Sequence, residues 1–492
     1  MENRLIALAC ICILAFTLVT ASLALVSSNQ DYALAAARQS GVSVVLSEGR
    51  GNIFDCNFNQ LTGTAMRQYA FIEPGRASYH TLFEAIPASL RASFYESIQR
   101  GMPFLMPVTG EAASRAQYLF YAPERYQPMP IAQHLIGYLD NTGHGVSGVE
   151  YAYDDLLSGG STQKQIVCSM NAYGNWIESD APRAADISGT GAGVMLTLDS
   201  RIQRTCEAIG MEMIDKGCIL VMETATGRIR ASVSLPLYDP ENVAASIARQ
   251  DTSLVNRTVN AYNVGSVFKP LLAAAALEQG ISEEETYECV GAIEVGGHIY
   301  RCAYGRGHGT VDMRTVSGNL PSTGQLTDRG QLASVSFGQG ALTATPVQVA
   351  AMMNLFAGEG RYLEPSFVEG IVNEYEQTVS QSLYRPVQRQ VFSPQTAQTV
   401  RQMLVGVVEE GLGQKAAPRV GGAGGKTGTA QTGRYDEAGE EIMDAWFAGF
   451  YPADEPVYTI VVLLDSGTHG SDDAAGIFAQ LADSLSVFLE ET

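Results

Sequence analysis

No residue from Leu5 to Val26 carries a charged side chain, and this run restricts the chain more tightly than any other feature of the sequence. At 1.5 Å per residue, a helix over it is about 33 Å long, enough to cross the hydrocarbon layer of a bilayer. Inside a membrane every backbone N–H and C=O must be paired within the segment, so the run is expected to be helical. Arg4 precedes it and Asp31 follows. The flanking cation places the N-terminus in the cytoplasm and the rest of the chain outside. A cleaved signal peptide is the competing reading, since small residues lie between Ala21 and Ala24. The run is longer than a usual signal core, which favours a retained anchor. Cys10 falls before the run is complete, too early for a lipidation site.

The full length of 492 residues sets an expectation of two or three domains. Apolar residues at 46% and charged residues at 17% are globular values. A formal charge of -21 repels phosphate, so nucleic acid is excluded as a partner and anionic lipid headgroups are disfavoured. Eight cysteines are too few for a disulfide scaffold in a chain of this length. Cys289 and Cys302 differ from the rest: they flank a segment centred on Gly296 and Gly297 that reads as a hairpin, so a bond between them is expected, with two free thiols in a loop as the alternative. The histidines form no ligand pattern with Cys or carboxylates, and no metal is expected.

Val42 to Leu46 reads as a strand and Leu82 to Ile98 as a helix. Glu178 to Gly193 lacks periodicity and reads as a linker. Beyond it, Val194 to Leu198 reads as a strand, Asp199 as the cap of a helix through Ile214, and Cys218 to Glu223 with Gly227 to Ser234 as paired strands. Pro270 to Gln279 is a dense apolar helix stopped by Gly280. Trp446 to Tyr451 and Val457 to Leu464 read as a buried hairpin, and Ile477, Leu481, Leu485 and Phe488 as one face of a final helix. Strands at both ends with helices between them imply an α/β domain.

Only five of the 31 basic residues are Lys, and two of them stand in Ser266-Val267-Phe268-Lys269 and Lys426-Thr427-Gly428-Thr429. Lysine can lose its proton when buried, whereas arginine in practice cannot. At the start of the Pro270 helix, Ser266 meets the positive end of the helix dipole, and Lys269 lies on the same face within reach of its oxygen. A desolvated Lys269 can act as general base toward Ser266. The bland alternative is a helix-capping serine. Ser161 and Lys164 have the same spacing but follow Gly159-Gly160 without a hydrophobic helix, so they read as a loop. Lys426 to Thr429 follows a glycine-rich run suited to close approach of a strand or ligand, and the missing side chain of Gly428 leaves room for a ligand; an ordinary edge strand is the alternative. Ser317-Gly318-Asn319 fits a third element, Ser-x-Asn, as Ser27 to Asn29 and Ser169 to Asn171 do equally.

Taken in order, these motifs resemble those of class B penicillin-binding proteins, the monofunctional D,D-transpeptidases of peptidoglycan. Arg50 to Asp55 is similar to the family's first extracytoplasmic signature, and His134 to Gly137 with Gly145 to Glu150 resembles its second. Thr197 to Asp199, Asn256-Arg257 with Tyr262, Ser336 to Gly340 and Trp446 to Phe450 match further family runs. The centre departs from the family: only Leu320 to Val335 separates Ser317 from the Ser336 run, where a longer helical stretch is usual.

The resemblance implies a cytoplasmic tail (1–4), a transmembrane helix (5–27), a mixed pedestal domain (28–185) and a transpeptidase domain (186–492) of α/β (α+β) class, with a central antiparallel sheet flanked by helices. It implies catalytic roles for Ser266, Lys269, Ser317 and Lys426, and substrate binding by Asn319, Thr427, Gly428 and Thr429. Peptidoglycan stem peptides, β-lactams, the membrane and other wall-synthesis proteins are the implied partners, and no cofactor is implied. A serine β-lactamase or β-lactam sensor, and a weakened or non-catalytic scaffold of the wall machinery, remain the alternatives.

Overall fold

The structure is a computed structural model that describes residues 2–28, 41–73, 82–110, 113, 116–127, 129–170, 181–189, 191–295, 298–301, 309–311, 342–373, 377–381, 387–435, 439–467 and 471–491. The chain forms two compact units. One comprises Met1–Arg50, Gly63–Arg125 and Gly159–Thr190, the other Gly51–Thr62, Tyr126–Ser158 and Gly191–Thr492. Two segments from the stretch assigned by sequence to the pedestal therefore group with the second unit. Their apolar residues explain this: Ile53 pairs with Val194, and Ile53, Ile131, Ile136, Val149 and Leu157 share one core with Val194, Leu196 and Leu198.

In the first unit, helix Glu2–Ser28 contains Ile6–Val26, which has a mean hydropathy of 2.5 and is nowhere buried. An exposed apolar surface of this length is stable in lipid rather than water, so the helix has the character of a membrane anchor. Strand Gly41–Ser47 pairs antiparallel with Gln163–Ser169, which also pairs with Arg183–Ile187. This third strand lies in the expected linker. It is mostly exposed and carries no alternating apolar pattern, so backbone pairing holds a strand that the side chains do not announce. A second sheet places Ala65–Ile72 between Phe104–Val108 and Leu119–Glu124. The helix expected from Leu82 to Ile98 is α-helical only over Arg91–Gln99. Pro87 interrupts it, and short 3-10 turns occupy 82–85 and Ala88–Leu90.

The second unit is built on a five-stranded antiparallel sheet in the order Ile229–Leu235, Gly217–Glu223, Tyr458–Gly467, Glu441–Tyr451, Gly424–Tyr435. Helices Ser200–Met213 and Ser471–Leu485 cover one face, where Ile219, Val221, Phe447, Ile460 and Val462 point. Helices Lys269–Glu278, Pro346–Ala357 and Pro394–Glu409 cover the other, which takes Leu220, Met222, Trp446, Val461 and Leu463. A strand covered on both faces gains from apolar residues at every position, hence the unbroken runs in the sequence. Asp199 caps Ser200–Met213 as expected, accepting from the Arg201 N–H at 2.9 Å.

The expected hairpin near Cys289 forms, with Ala292–Val295 paired to His298–Arg301. Cys302, and with it the expected bond to Cys289, lies outside the described residues, as do Ser317, Asn319 and the run from Ser336 to Gly340.

Candidate active site

Ser266 lies in a 3-10 turn, Gly265–Phe268, that runs directly into helix Lys269–Glu278. The Lys269 N–H bonds to the Ser266 carbonyl, so both residues belong to one helical run, three positions apart and facing the same way. Phe268 occupies the N-cap of the α-helix, and Ser266 is inside the run rather than at its cap. The capping alternative therefore does not describe this serine. Ser266 and Lys269 are both partly exposed.

The second motif lies on Gly424–Tyr435, the edge strand of the five-stranded sheet. Two glycines bring it against the serine turn. Gly265 has φ +54°, and a Cβ placed on it would stand 2.8 Å from the Thr429 carbonyl oxygen. A Cβ on Gly428 would stand 3.0 Å from Val267 Cγ1 and 3.3 Å from the Val264 carbonyl oxygen. The sequence reading reserved the space at Gly428 for a ligand; Val267 and Trp446 adjoin it instead. Glycine at these two positions is the condition for Ser266 and Thr429 to be neighbours. Gly265→Ala combines an unfavourable φ with a blocked Cβ, at an expected cost of about 1–3 kcal/mol of stability. Displacing the serine turn by a fraction of an ångström should also slow the reaction at Ser266 that the family resemblance implies at least about tenfold, since a 1 Å misplacement can cost about a hundredfold. Penicillin-labelling kinetics with a parallel thermal melt check both, and a Gly265→Ala variant matching the parent in each would contradict the packing argument.

Lys426 is partly buried on this strand; its Nζ donates to the Thr427 carbonyl at 3.1 Å and lies 3.4 Å from Thr427 Oγ1. Burial, and after it the charge of Lys269, pulls Lys426 down to about 8. The lysines of the two motifs are thus brought into one electrostatic site, as the sequence reading required. Thr427 is buried and Thr429 exposed. An amine, an alcohol and exposed strand edge around a serine–lysine pair can activate a hydroxyl and hold a carboxylate.

Sequence reasoning named Arg257 and Trp446 only within runs similar to the family's, and missed the support they give this pair. Trp446 Nε1 donates to the Asn263 carbonyl at 3.0 Å, and Asn263 Nδ2 donates to the Gln431 carbonyl at 2.7 Å, so the segment before Ser266 is tied to both strands. The Arg257 guanidinium, only 1% exposed, donates through Nε to Asp465 Oδ2 at 2.9 Å and through Nη2 to Thr252 Oγ1 at 2.8 Å. The signals in the sequence were the runs holding Asn256-Arg257 and Trp446, and Asp465, a carboxylate that ends the apolar run from Val457 to Leu464.

Residues 217–319 and 301–483 match the penicillin binding protein transpeptidase domain, together more than half of the chain. With this domain match and the site just described, the chain belongs to the class B penicillin-binding proteins. It is 28% identical over 430 residues to penicillin-binding protein PbpB of Mycolicibacterium smegmatis, covering 73% of this chain and 64% of that protein. To stage V sporulation protein D of Bacillus subtilis it is 27% identical over 388 residues, covering 68% of this chain and 58% of the relative. The chain thus spans about three fifths of the length of the curated relatives it matches. Penicillin-binding protein 2 from Helicobacter pylori, solved in complex with MreC, shares the fold at a TM-score of 0.62 and 21% identity, over 92% of this chain and all of that one.

Proposed function

We propose that this protein is a membrane-anchored D,D-transpeptidase that cross-links peptidoglycan stem peptides through an acyl-enzyme on Ser266. The observation that carries the reading is the contact of the Gly265–Phe268 turn with the Gly428–Thr429 stretch, which gathers Ser266, Lys269 and Lys426 in one place. Ser266 Oγ attacks the carbonyl carbon between the two terminal D-Ala residues while its proton passes to Lys269 Nζ. The N–H groups of Ser266 and Thr429 hold the oxyanion. The C–N bond breaks, the leaving D-Ala amine takes up a proton, and an amine on a second strand attacks the ester and frees Ser266. Lys426, Thr427 and Thr429 hold the terminal carboxylate of the donor. The family resemblance gives Ser317 the proton transfer to the leaving amine and Asn319 a substrate contact, but the short stretch from Leu320 to Val335 favours a loop serine, in which case Ser317→Ala leaves the acylation rate nearly unchanged rather than slowing it about a hundredfold to ten-thousandfold.

The pedestal, the N-terminus in the cytoplasm and a catalytic unit outside it complete the proposal. A wall-synthesis partner on the non-catalytic part is in keeping with the Helicobacter pylori neighbour, whose structure contains MreC. A D-Ala-D-Ala pentapeptide and an amine acceptor test the activity: the full chain is expected to release D-Ala and form a cross-linked product. Sustained nitrocefin turnover would assign a β-lactamase instead, and no reaction with either substrate a scaffold.

The carboxylate role of Lys426 gives the reaction a pH limb. Burial disfavours the charged form, so the ammonium is present below about 8 and lost above it, whereas an unperturbed lysine stays charged to about 10.4. Acylation by a carboxylate-bearing β-lactam is expected to fall as pH rises through this value. Lys426→Arg keeps its charge and should remove the limb. A limb that persists in that variant would assign the titration to another group.

A further inference from the structure

Past Thr429 the edge strand continues into a polar cavity of about 350 Å³, lined by Asn263, Thr432, Arg434, Lys216, Asp444 and Asp465 among others. The cavity begins where the two motifs end. Asn263 is three residues before Ser266 and its amide holds the Gln431 carbonyl. At about 3.4 Å per residue, Thr432 lies roughly 10 Å beyond Thr429 along the strand.

The cavity's charges are of two kinds. Arg257 and Asp465 form a closed pair at 2.9 Å, with side chains 1% and 7% exposed. Lys216 and Arg434 approach Asp465 only at 3.7 and 3.5 Å, and Arg434 lies 3.7 Å from Asp444. These separations exceed hydrogen-bond length. The Lys216 and Arg434 side chains are 32% and 51% exposed, which leaves their donors open toward the cavity. Three cations against two carboxylates leave the lining with one positive charge in excess, suited to an anion.

The geometry of the edge says which part of a substrate arrives here. An extended peptide adding to Gly424–Tyr435 as an antiparallel strand, its C-terminal carboxylate at the Lys426 end, sends its upstream residues toward Gln431 and Arg434. We propose that this cavity is a specificity subsite for a peptide side chain ending in a carboxylate, carried by the donor residue just upstream of the D-Ala-D-Ala pair and bound by Lys216 and Arg434. The proposal rests on the transpeptidase reading and adds to it a preference for one side-chain terminus.

Two pentapeptides test it, identical but for a third residue whose side chain ends in a carboxylate or in its carboxamide. Charge-assisted hydrogen bonds of this kind correspond to about a tenfold to a hundredfold preference. The parent chain is expected to release D-Ala from the carboxylate peptide with a kcat/KM higher by that factor. Arg434→Gln should bring the ratio of the two close to one, and Lys216→Gln should lower it in the same direction. Because the readout is a ratio within one preparation, a partial loss of folded protein cancels. Penicillin labelling of the parent is measured alongside. A labelled parent that handles both peptides equally overturns the subsite and leaves the acyl-enzyme standing, as does a preference that survives both substitutions. An unlabelled parent removes the acyl-enzyme and the subsite together.

Discussion

Ser266→Ala is expected to abolish covalent labelling by penicillin, and Lys269→Arg to slow it by about a hundredfold to ten-thousandfold. The first follows because no other atom in the turn replaces Oγ as nucleophile. The second follows from chemistry rather than shape. Arginine fits a similar volume and keeps the positive charge, but a permanent guanidinium cannot accept the serine proton, and removing a positioned base costs about this range. Arginine at this position retains the positive charge that, after burial, lowers Lys426, so the pH limb should stay in place while the rate falls. Labelling at the parent rate in either variant would contradict the roles assigned to the pair.

Arg257→Met is expected to cost about 3 kcal/mol of stability, the low end of the about 3–5 kcal/mol that follows when one member of a buried ion pair is removed. The low end applies because Lys216 and Arg434 remain at 3.7 and 3.5 Å from Asp465 and continue to offset its charge. The substitution also leaves Thr252 Oγ1 without its donor at 2.8 Å. In Arg257→Met with Asp465→Leu no uncompensated carboxylate remains, so the double variant should recover part of the loss. Urea unfolding of the full chain in detergent measures both. A single-variant loss below about 1 kcal/mol, or a double variant no better than the single, would show that the pair does not hold the serine segment to the sheet.

The site was legible where chemistry is local. Ser266 and Lys269 are three residues apart on a helical run, and Lys426 to Thr429 are consecutive on a strand, so spacing and residue type carry their geometry. The decoy at Ser161 shows why the context matters. Lys164 lies on strand Gln163–Ser169 with Ser161 ahead of it, so the same tetrapeptide spacing produces no shared helical face. Long-range pairing left no such trace. Arg257 and Asp465 meet across 208 residues, and neither neighbourhood announces the other. Arg183–Ile187 is a strand by backbone pairing alone, which the apolar pattern could not report. The helix expected over Leu82 to Ile98 failed at Pro87, where periodicity outweighed the missing N–H in the sequence reading. Gly428 was read as space for a ligand because sequence shows that a side chain is absent but not what adjoins the gap.

The claim that this chain works through an acyl-enzyme is tested most directly by incubating the detergent-solubilised full chain with penicillin and mapping the adduct by mass spectrometry. One added penicilloyl group is expected, on the peptide containing Ser266 and absent after Ser266→Ala. An unmodified chain, or an adduct on another residue such as Ser161, would contradict it.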